Sequence, residues 1–391
     1  MSKESENKDK PGNGKRILLR TFGCQMNLRD SEVISGLLRA KGYELIDNPE
    51  QADAVIFNTC SVRQHAEDKV WSEIGRIAKA KGQPRRPIKK IIGLVGCMAQ
   101  NYKQAAFERS PSIDFVVGPA DIDKIPEILK KLLKVEPFER KIWETDAETR
   151  PEDIYHTGFY EDKNHAFVVI SEGCSNFCSY CVVPFARGPL RHRNPKDIIK
   201  EIEGAIDKGI TSVTLLGQNV NAFDRQGVNF IKLIELVNVV RGLKEFGFIT
   251  SHPKDAGIEL FKAMSSAEKL KKYLHLPAQS GSDRILKLMN RGYARKYYLD
   301  LADNYRKIIG NGVLTTDIIV GFPTETEEDF QATRDLIKDV QFNAAYIFKY
   351  SVRPNTAAAK MADDIAKEEK ERRHKIILDL QREISNAKVK S

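Results

Sequence analysis

Three cysteines lie within one eight-residue stretch of the sequence, at Cys174, Cys178 and Cys181. Three thiolates this close repel one another unless a cation lies among them. Structural zinc sites usually take four ligands, often from two CxxC pairs, and the nearby candidate for a fourth ligand is His192. A [4Fe–4S] cluster bound by three cysteines keeps one iron open for a substrate or cofactor. The spacing therefore favours an iron–sulfur cluster over zinc or unliganded thiols.

Three further cysteines each follow a short apolar run that is typical of a strand. The segments TFGC, FNTC and LVGC end at Cys24, Cys60 and Cys97. Because the carboxyl ends of parallel strands lie along one edge of a sheet, we expect these thiols to meet there. The alternative is that they are small buried apolar side chains, as free cysteines often are. Their recurrence at the same strand position favours a site.

The elements that must position these cysteines alternate between strand and helix. In the first 135 residues, strands are predicted at 16–22, 54–58, 91–95 and 115–117, with helices at 30–41, 64–81, 99–109 and 121–134. Later strands are predicted at 166–170, 212–216, 247–250, 273–276, 314–320 and 345–348, with helices between them. This pattern predicts an α/β fold, in which an N-terminal parallel sheet domain precedes a (β/α)6 partial barrel.

The predicted domain boundaries follow changes in composition along the chain. Residues 1–14 form a polar tail that we expect to be disordered, and residues 136–163 form a charged, turn-rich linker. The sheet domain then spans 15–135 and the barrel spans 164–362. A charged amphipathic helix is predicted over 363–391.

Composition narrows the class of protein further. The 391 residues are 41% hydrophobic and 30% charged, and no apolar run reaches the length of a membrane span. Six cysteines are too few for a disulfide-stapled secreted fold, so we expect a reducing, cytoplasmic location. The net charge of +9 is compatible with a polyanionic partner.

The segment CSNFCSYC, with Tyr180 before its last cysteine, resembles the CxxxCxxC signature of the radical S-adenosylmethionine (SAM) superfamily. The resemblance implies that Cys174, Cys178 and Cys181 are the ligands of a catalytic [4Fe–4S] cluster. It also implies that SAM binds the open iron, close to Tyr180, and that reductive cleavage of SAM yields a 5′-deoxyadenosyl radical.

The segments TFGCQMN, FNTCSVR and GLVGCMAQ resemble the N-terminal domain of the methylthiotransferases, and the resemblance covers about 16–382. It implies that Cys24, Cys60 and Cys97 hold a second [4Fe–4S] cluster. Together with YCVVP and LLGQNVNAF, these motifs are similar to the branch that acts on isopentenylated adenosine. The implied reaction converts N6-isopentenyladenosine at position 37 of tRNA to its 2-methylthio derivative, with one SAM as methyl donor and another as radical source.

The resemblance also implies which residues surround SAM and the RNA. A SAM pocket is expected at the carboxyl ends of the barrel strands, from Gly217, Gln218, Asn219, Ser251, His252, His275, Gln279, Ser280, Arg291, Asp317, Ile319 and Phe322. Contacts with RNA are expected from Gln25, Asn27, Asn58, Arg63, Arg187, Arg191 and Arg193. Taken singly, Gly217 could serve only as a turn residue, Ile319 as core, and Arg191 and Arg193 as solvated surface charge.

The partners implied by the resemblance are tRNA, an electron donor such as flavodoxin or ferredoxin, and a sulfur source. The small β-rich TRAM domain that usually ends these enzymes is expected to be absent, since no strand pattern follows residue 359. After CVVPFARG the chain has PLRHR, where that branch usually has a Glu and a Ser–Arg pair. Two other functions stay open: the same chemistry on threonylcarbamoyl-adenosine, and a non-catalytic iron–sulfur protein that binds RNA or senses redox state.

Overall fold

The computed structural model describes residues 12, 14–61, 64–81, 90–135 and 140–390. It divides the chain into two compact units. Unit 1 contains Met1–Lys163 together with the short segment Phe185–Gly188, and unit 2 contains Asn164–Pro184 and Pro189–Ser391. The predicted tail at 1–14 lies outside the described residues except for Gly12 and Gly14.

Unit 1 is built on a parallel sheet, with six strands in its described part and the order β2-β1-β3-β4-β5-β6. β3, β4 and β5 are buried along their whole length, as expected for parallel strands covered by helices on both faces. The strands are β1 (Arg16–Phe22), β2 (Glu44–Leu45), β3 (Ala54–Thr59), β4 (Ile91–Val95), β5 (Phe115–Val117) and β6 (Ile142–Glu144). The helices are α1 (Gln25–Ala40), α2 (Gln64–Lys81), α3 (Cys97–Tyr102), α4 (Ala105–Arg109) and α5 (Ile125–Leu132), with 3-10 helices at Pro119–Lys124 and Glu152–Thr157.

The segment predicted as a linker, 136–163, differs from that prediction. Its strand β6 pairs in parallel with β5, with Trp143 opposite Val116, and so extends the sheet of unit 1. The buried guanidinium of Arg29 then donates hydrogen bonds to the Tyr155 and Phe159 carbonyl oxygens, which attaches the later part of the segment to α1. Three-residue strands between charged residues carry little periodic signal, and for that reason the sequence pattern missed β6.

Unit 2 contains the six parallel strands that the sequence predicted. They form two three-stranded sheets, β13-β10-β7 and β14-β15-β16, joined by a parallel bridge between Phe246 and Leu270. The strands are β7 (His165–Val169), β10 (Ser212–Leu216), β13 (Glu245–Phe248), β14 (Tyr273–His275), β15 (Val313–Val320) and β16 (Ala344–Lys349), with the short antiparallel pairs β8 (Ser171–Glu172) and β9 (Arg191–His192), and β11 (Asp224–Arg225) and β12 (Val228–Asn229). The consecutive order confirms the predicted (β/α)6 partial barrel.

Helices follow the barrel strands of unit 2 and cover them. They are α7 (Pro195–Ile206), α8 (Phe230–Asn238), α9 (Ile258–Ser266), α10 (Asp283–Leu288), α11 (Arg295–Ile309), α12 (Glu327–Val340) and α13 (Lys367–Lys390). The short helix α6 (Val183–Arg187) precedes them in sequence, and its residues from Phe185 onward belong to unit 1. α13, the predicted C-terminal helix, is fixed by a buried ion pair between Arg373 and Glu325 at 2.8 Å. None of the helices in the described part of the chain is long and apolar enough to cross a membrane.

Candidate functional site

Each thiol of the first trio lies at the carboxyl end of a strand in unit 1. Cys24 follows β1 and caps α1, Cys60 follows β3, and Cys97 begins α3 directly after β4. These three strands are neighbours, and the direction in which strands are added reverses between β1 and β3. Ligands of open α/β sheets bind at such a reversal, outside the carboxyl ends of the strands. The thiols therefore lie together at the sheet edge that the sequence predicted.

The pKa is shifted in opposite directions at two of these thiols, Cys24 and Cys97. A hydrogen bond from the Cys60 thiol, assisted by the Arg187 guanidinium, lowers the pKa of Cys24 to about 6 against the opposing effect of burial. Burial raises the pKa of Cys97, although Arg187 acts in the other direction. A buried set of thiolates is stable only beside positive charge. The donor set therefore fits a cationic iron–sulfur centre.

Gly96 turns the chain from β4 into α3 and so places Cys97. Its φ is 88°, in the region that favours glycine. A Cβ at this position would lie 2.4 Å from the Asn58 side-chain oxygen. The glycine of LVGC therefore permits both the turn and the close approach of the Asn58 amide.

Asn27 and Asn58 form hydrogen bonds that hold the cysteine loops of unit 1 in place. The Asn27 side-chain oxygen accepts hydrogen bonds from the Cys24 amide at 3.4 Å and from its thiol at 3.3 Å. Asn58 Nδ2 donates to the Asn27 carbonyl at 2.8 Å and to Ser31 Oγ at 2.9 Å. Both amides are fully buried. These hydrogen bonds orient the loops, and contact of the two residues with RNA stays a prediction.

The other residues predicted to contact RNA have different environments. Arg193 is buried and donates to the Val169 carbonyl and the Glu201 carboxylate, and its contact with RNA stays a prediction. Arg191 is partly exposed, 3.6 Å from Glu172, and Gln25 is exposed, so RNA contact stays a prediction for both. Arg63 lies outside the described residues.

Arg187 is predicted to contact RNA, and in the structure it has partners within unit 1. Its side chain is 4% exposed and belongs to unit 1, where one terminal nitrogen lies 2.6 Å from Asp30. Its Nε donates to Cys97 Sγ at 3.2 Å. A guanidinium held in this way faces the first thiol trio and is withdrawn from solvent.

The second trio lies in the loop between β8 and α6. Hydrogen bonds from several other residues hold the backbone of this loop in place. Asn290 Nδ2 donates to the Asn176 and Phe177 carbonyls, and Lys254 Nζ donates to Asn176 Oδ1 at 2.6 Å. The Ser179 amide donates to the Met289 carbonyl at 3.0 Å. Phe177 has a φ of 46°, a strained value that such fastening sustains.

Arg291 is the charged side chain directed at this loop. It is 4% exposed, and one terminal nitrogen lies 3.3 Å from both Cys178 Sγ and Tyr180 Oη. The other terminal nitrogen donates to the Pro277 carbonyl at 2.8 Å, and Nε donates to Tyr293 Oη at 2.9 Å. Arg291 therefore contacts the cysteine loop itself, a role that its predicted assignment to the SAM pocket did not specify.

Burial disfavours free thiolates at two positions of the second trio. It raises the pKa of Cys174, and it raises the pKa of Cys181 to about 12. Thiolates at these positions need a cationic partner, which an iron–sulfur cluster provides. Within the described residues, no three His, Cys, Asp or Glu side chains converge as they would around a single metal ion.

Several residues predicted for SAM present buried polar atoms without a hydrogen-bond partner among the described residues. These atoms follow the carboxyl ends of β10, β13 and β14, and they are Gln218 Oε1, Asn219 Oδ1, Ser251 Oγ, His252 Nε2 and Gln279 Oε1. Burial, with Arg291 and Lys254 nearby, lowers the pKa of His252 to about 2, so its imidazole is neutral. Unsatisfied buried polar groups are costly and require explanation. A polar ligand such as SAM would satisfy them.

Other members of the predicted SAM set serve packing. Ser280 Oγ lies 3.3 Å from Thr333 Oγ1, and Phe322 is fully buried in an apolar cluster against which Ile319 packs. Contact of these three residues with SAM stays a prediction. His275 and Asp317 lie 3.4 Å apart and are partly exposed, which keeps them available to a ligand. Gly217 allows close approach of Ser171, since a Cβ would lie 2.4 Å from its hydroxyl.

Sequence reasoning missed the residues that support both trios. Lys254 and Asn290 fasten the second loop, and Asp30 and Arg150 form the ion pairs behind Arg187. No spacing rule connects residues that are about 75 to 160 positions apart. One available signal was the polar character of α1, a helix whose buried residues include Asn27, Arg29, Asp30 and Glu32.

We expect Gly281→Ala to destabilise unit 2 by about 1–3 kcal/mol and to lower its melting temperature by several degrees. A Cβ at Gly281 would lie 2.3 Å from the Ala332 carbonyl oxygen in α12, a backbone atom that cannot rotate away. Melting under anaerobic conditions measures the shift. Gly204→Ala in α7 is the matched control, because its Cβ would meet nothing within 4 Å; an equal loss in both variants would contradict the clash.

Two family models match the chain. The Uncharacterized protein family UPF0004 matches residues 16–118, and the Radical SAM superfamily matches residues 168–337. Among solved structures, the chain is similar to a radical SAM methyltransferase from Kitasatospora setae, TsrM, with a TM-score of 0.59 at 13% identity over 88% of this chain and 74% of that chain. It is also similar to the cobalamin-dependent radical SAM enzyme OxsB, with a TM-score of 0.58 at 15% identity over 92% of this chain and 56% of that one. These likenesses establish the fold.

Curated proteins match this chain at higher sequence identity than the solved structures do, and they indicate a narrower family. The tRNA-2-methylthio-N(6)-dimethylallyladenosine synthase of Caldicellulosiruptor saccharolyticus is 42% identical over 96% of this chain and 80% of its own length. The synthase of the same name from Moorella thermoacetica is 41% identical over 96% of this chain and 84% of its own.

The fold and the two cysteine trios define a radical SAM enzyme with an additional α/β domain. Sequence identity above 40% over most of this chain and of each of these two synthases establishes the family. The chain belongs to the tRNA-2-methylthio-N(6)-dimethylallyladenosine synthase family of radical SAM transferases.

Proposed function

We propose that this enzyme converts N6-isopentenyladenosine in tRNA to its 2-methylthio derivative. The observation that carries the proposal is the presence of two separate cysteine trios, one at the carboxyl ends of three strands of unit 1 and the other in the loop after β8 of unit 2. Insertion of sulfur at an unreactive aromatic C–H position requires both a radical source and a sulfur site. Membership of the synthase family supplies the substrate class.

In this proposal, Cys174, Cys178 and Cys181 hold one [4Fe–4S] cluster, and Cys24, Cys60 and Cys97 hold the other. When bound, the first cluster and SAM supply a 5′-deoxyadenosyl radical, and the second supplies the position at which sulfur and a methyl group are delivered. Arg291 places a permanent positive charge against Cys178 and stabilises its thiolate. Arg187 does the same for Cys97.

The SAM-binding residues have chemistry that suits a zwitterionic, nucleoside-bearing ligand. The oxygens of Gln218 and Gln279 are acceptors suited to an ammonium group or a ribose hydroxyl. Nδ1 of the neutral His252 accepts a hydrogen bond from the Lys254 amide, so Nε2 carries the proton and can donate to a ligand without adding charge. Strained backbone at Thr250 and Gln279, with φ of 71° and 69°, places these groups at the strand ends.

The remaining partners follow from the chemistry of the proposal. Reductive cleavage of SAM consumes an electron, so a low-potential donor such as flavodoxin or ferredoxin must supply it. Each product carries one new sulfur atom, so turnover also requires a sulfur source. Arg191 and Gln25 are the exposed members of the predicted RNA set and are candidates for contact with tRNA.

The proposal predicts strict dependence on the isopentenyl group. Anaerobically reconstituted enzyme, given dithionite, SAM and sulfide as the sulfur source, is expected to form 2-methylthio product only with tRNA that carries isopentenyladenosine. Mass spectrometry of digested nucleosides measures the product, and chromatography measures 5′-deoxyadenosine. Unmodified tRNA and tRNA that carries threonylcarbamoyl-adenosine are the comparison substrates.

Each contrary result identifies an alternative. Product formed on threonylcarbamoyl-adenosine, and not on isopentenyladenosine, would assign the enzyme to the other substrate. Absence of 5′-deoxyadenosine with every tRNA would favour a non-catalytic iron–sulfur protein.

A further inference from the structure

A chain of buried charges in unit 1 ends at one of the auxiliary thiols. Arg150 lies 2.8 Å from Asp30 Oδ1, and Arg187 lies 2.6 Å from Asp30 Oδ2. Arg187 Nε then donates to Cys97 Sγ at 3.2 Å. The three charged side chains are each between 1% and 4% exposed. These contacts form one continuous path from Arg150 to the sulfur.

We propose that Arg187 is a positioning residue for the auxiliary metal centre, which orients the Cys97 sulfur and raises the reduction potential of the cluster bound there. The inference rests on the proposed function, because it assumes a cluster at Cys24, Cys60 and Cys97. It is a different role from the predicted contact of Arg187 with RNA, which stays a prediction. The residue comes from Phe185–Gly188, a segment that follows the other cysteine loop in sequence yet belongs to unit 1.

The Arg187 guanidinium favours the ionised form of the Cys97 thiol. Its Nε donates to Cys97 Sγ at 3.2 Å, and a hydrogen bond from a charged donor to an ionised acceptor is stronger than one between neutral groups. Burial alone would raise the pKa of Asp30, but Arg187 and Arg150 hold it below its usual value, so the carboxylate stays ionised.

The geometry also explains why the residue is arginine. The guanidinium fork offers separate N–H groups in fixed directions, so Asp30 can hold one branch while Nε points at the sulfur. A lysine has one nitrogen on a flexible stem and cannot hold both partners in that arrangement. Asp30 is itself anchored by Arg150, which fixes the direction of the fork.

Hydrogen bonds to cluster sulfurs and nearby positive charge stabilise the reduced, more negative state of an iron–sulfur cluster. Removal of Arg187 should therefore move the potential of the auxiliary cluster to more negative values. It should also speed the loss of iron to a chelator, because the Cys97 thiolate loses its donor. A residue that only held the fold together would lower the melting temperature and leave the potential unchanged.

The test uses full-length protein in which Cys174, Cys178 and Cys181 are all alanine, so that the auxiliary cluster is the one measured. In this background, Arg187→Met, Arg187→Lys and the control Arg76→Gln are reconstituted anaerobically. Redox titration followed by electron paramagnetic resonance gives the midpoint potential, and a chelator assay gives the rate of iron release. Arg76 is an exposed arginine of the same unit, paired with Glu73.

We expect a negative shift of the potential and faster iron release in Arg187→Met, and a smaller shift in Arg187→Lys, which keeps the charge and loses the fixed N–H donor. Arg76→Gln should match the background. Arg187→Met leaves Asp30 neutralised by Arg150, and Arg187→Lys keeps the measurement available if the methionine variant fails to fold.

Two outcomes would overturn the inference. About four irons per chain with an unchanged potential in both Arg187 variants would leave the auxiliary cluster in place and remove the role of Arg187. A background protein that binds no iron would overturn the auxiliary cluster of the proposed function as well, so the two failures are distinguishable.

Discussion

Replacing Cys174, Cys178 and Cys181 together by alanine should reduce the iron content from about eight to about four atoms per chain and abolish the formation of 5′-deoxyadenosine from SAM. The same triple replacement of the first trio should also leave about four irons, yet 5′-deoxyadenosine should still form. Both variants should lose the methylthio product. Each trio lies in a separate unit, so removal of one should not dismantle the other.

Iron and sulfide analysis after anaerobic reconstitution measures the first effect, and chromatography of the SAM products measures the second. Ser175→Ala is the matched control, since it makes a small substitution at an exposed position within the second loop and leaves all six cysteines intact. Loss of all iron from either triple variant would mean that the six cysteines serve a single centre. Retention of 5′-deoxyadenosine formation without the second trio would place the radical chemistry elsewhere.

Much of the fold was predictable because its parallel strands are buried apolar runs separated by helices. The predicted strand at 16–22 has the bounds of β1, and each of the six barrel strands was predicted within two residues at either end. The thiol positions followed from the same rule, since a residue just after a parallel strand must lie at the carboxyl edge of the sheet. Backbone periodicity determined these features, and periodicity is visible in a sequence.

The side-chain environments were less predictable because they depend on contacts between distant residues. Arg187 and Arg193 lie six residues apart beside the same cysteine loop, yet one faces Cys97 in unit 1 and the other pairs with Glu201 in unit 2. Their shared charge suggested a shared RNA surface. The role of a charged residue depends on its burial and on its hydrogen-bond and ion-pair partners, and local sequence spacing predicts neither.

Short elements also escaped the sequence pattern. β6 (IWE) has three residues, as has the correctly predicted β5 (FVV), but unlike β5 it is not a continuous apolar run. The residues around β6 are charged, and this composition favoured the prediction of a linker. The edge position of β6 beside β5 supplies the pairing that local sequence does not suggest.

Arg291→Met is expected to lower the rate of SAM cleavage by at least about 100-fold, the usual effect of removing one fixed donor from a charged site. The guanidinium contacts Cys178, Tyr180, Pro277 and Tyr293 from a position that is 4% exposed. Methionine would fill much of the volume and supply none of these donors. The Cys178 thiolate would then lie in a buried environment without its adjacent positive charge, and the cluster should release iron faster.

Arg291→Lys separates charge from geometry, because lysine keeps the positive charge and can reach fewer of the four partners. We expect it to restore part of the SAM cleavage rate and part of the cluster stability, with both values between those of the methionine variant and the unmodified enzyme. Arg241→Met is the control, since Arg241 is an exposed arginine of the same unit. Anaerobic measurement of 5′-deoxyadenosine and of iron release to a chelator gives both quantities. If the methionine variant cleaved SAM at the normal rate and kept its iron, Cys178 would not need a cationic donor. The positive charge beside the second trio would then come from the metal centre alone.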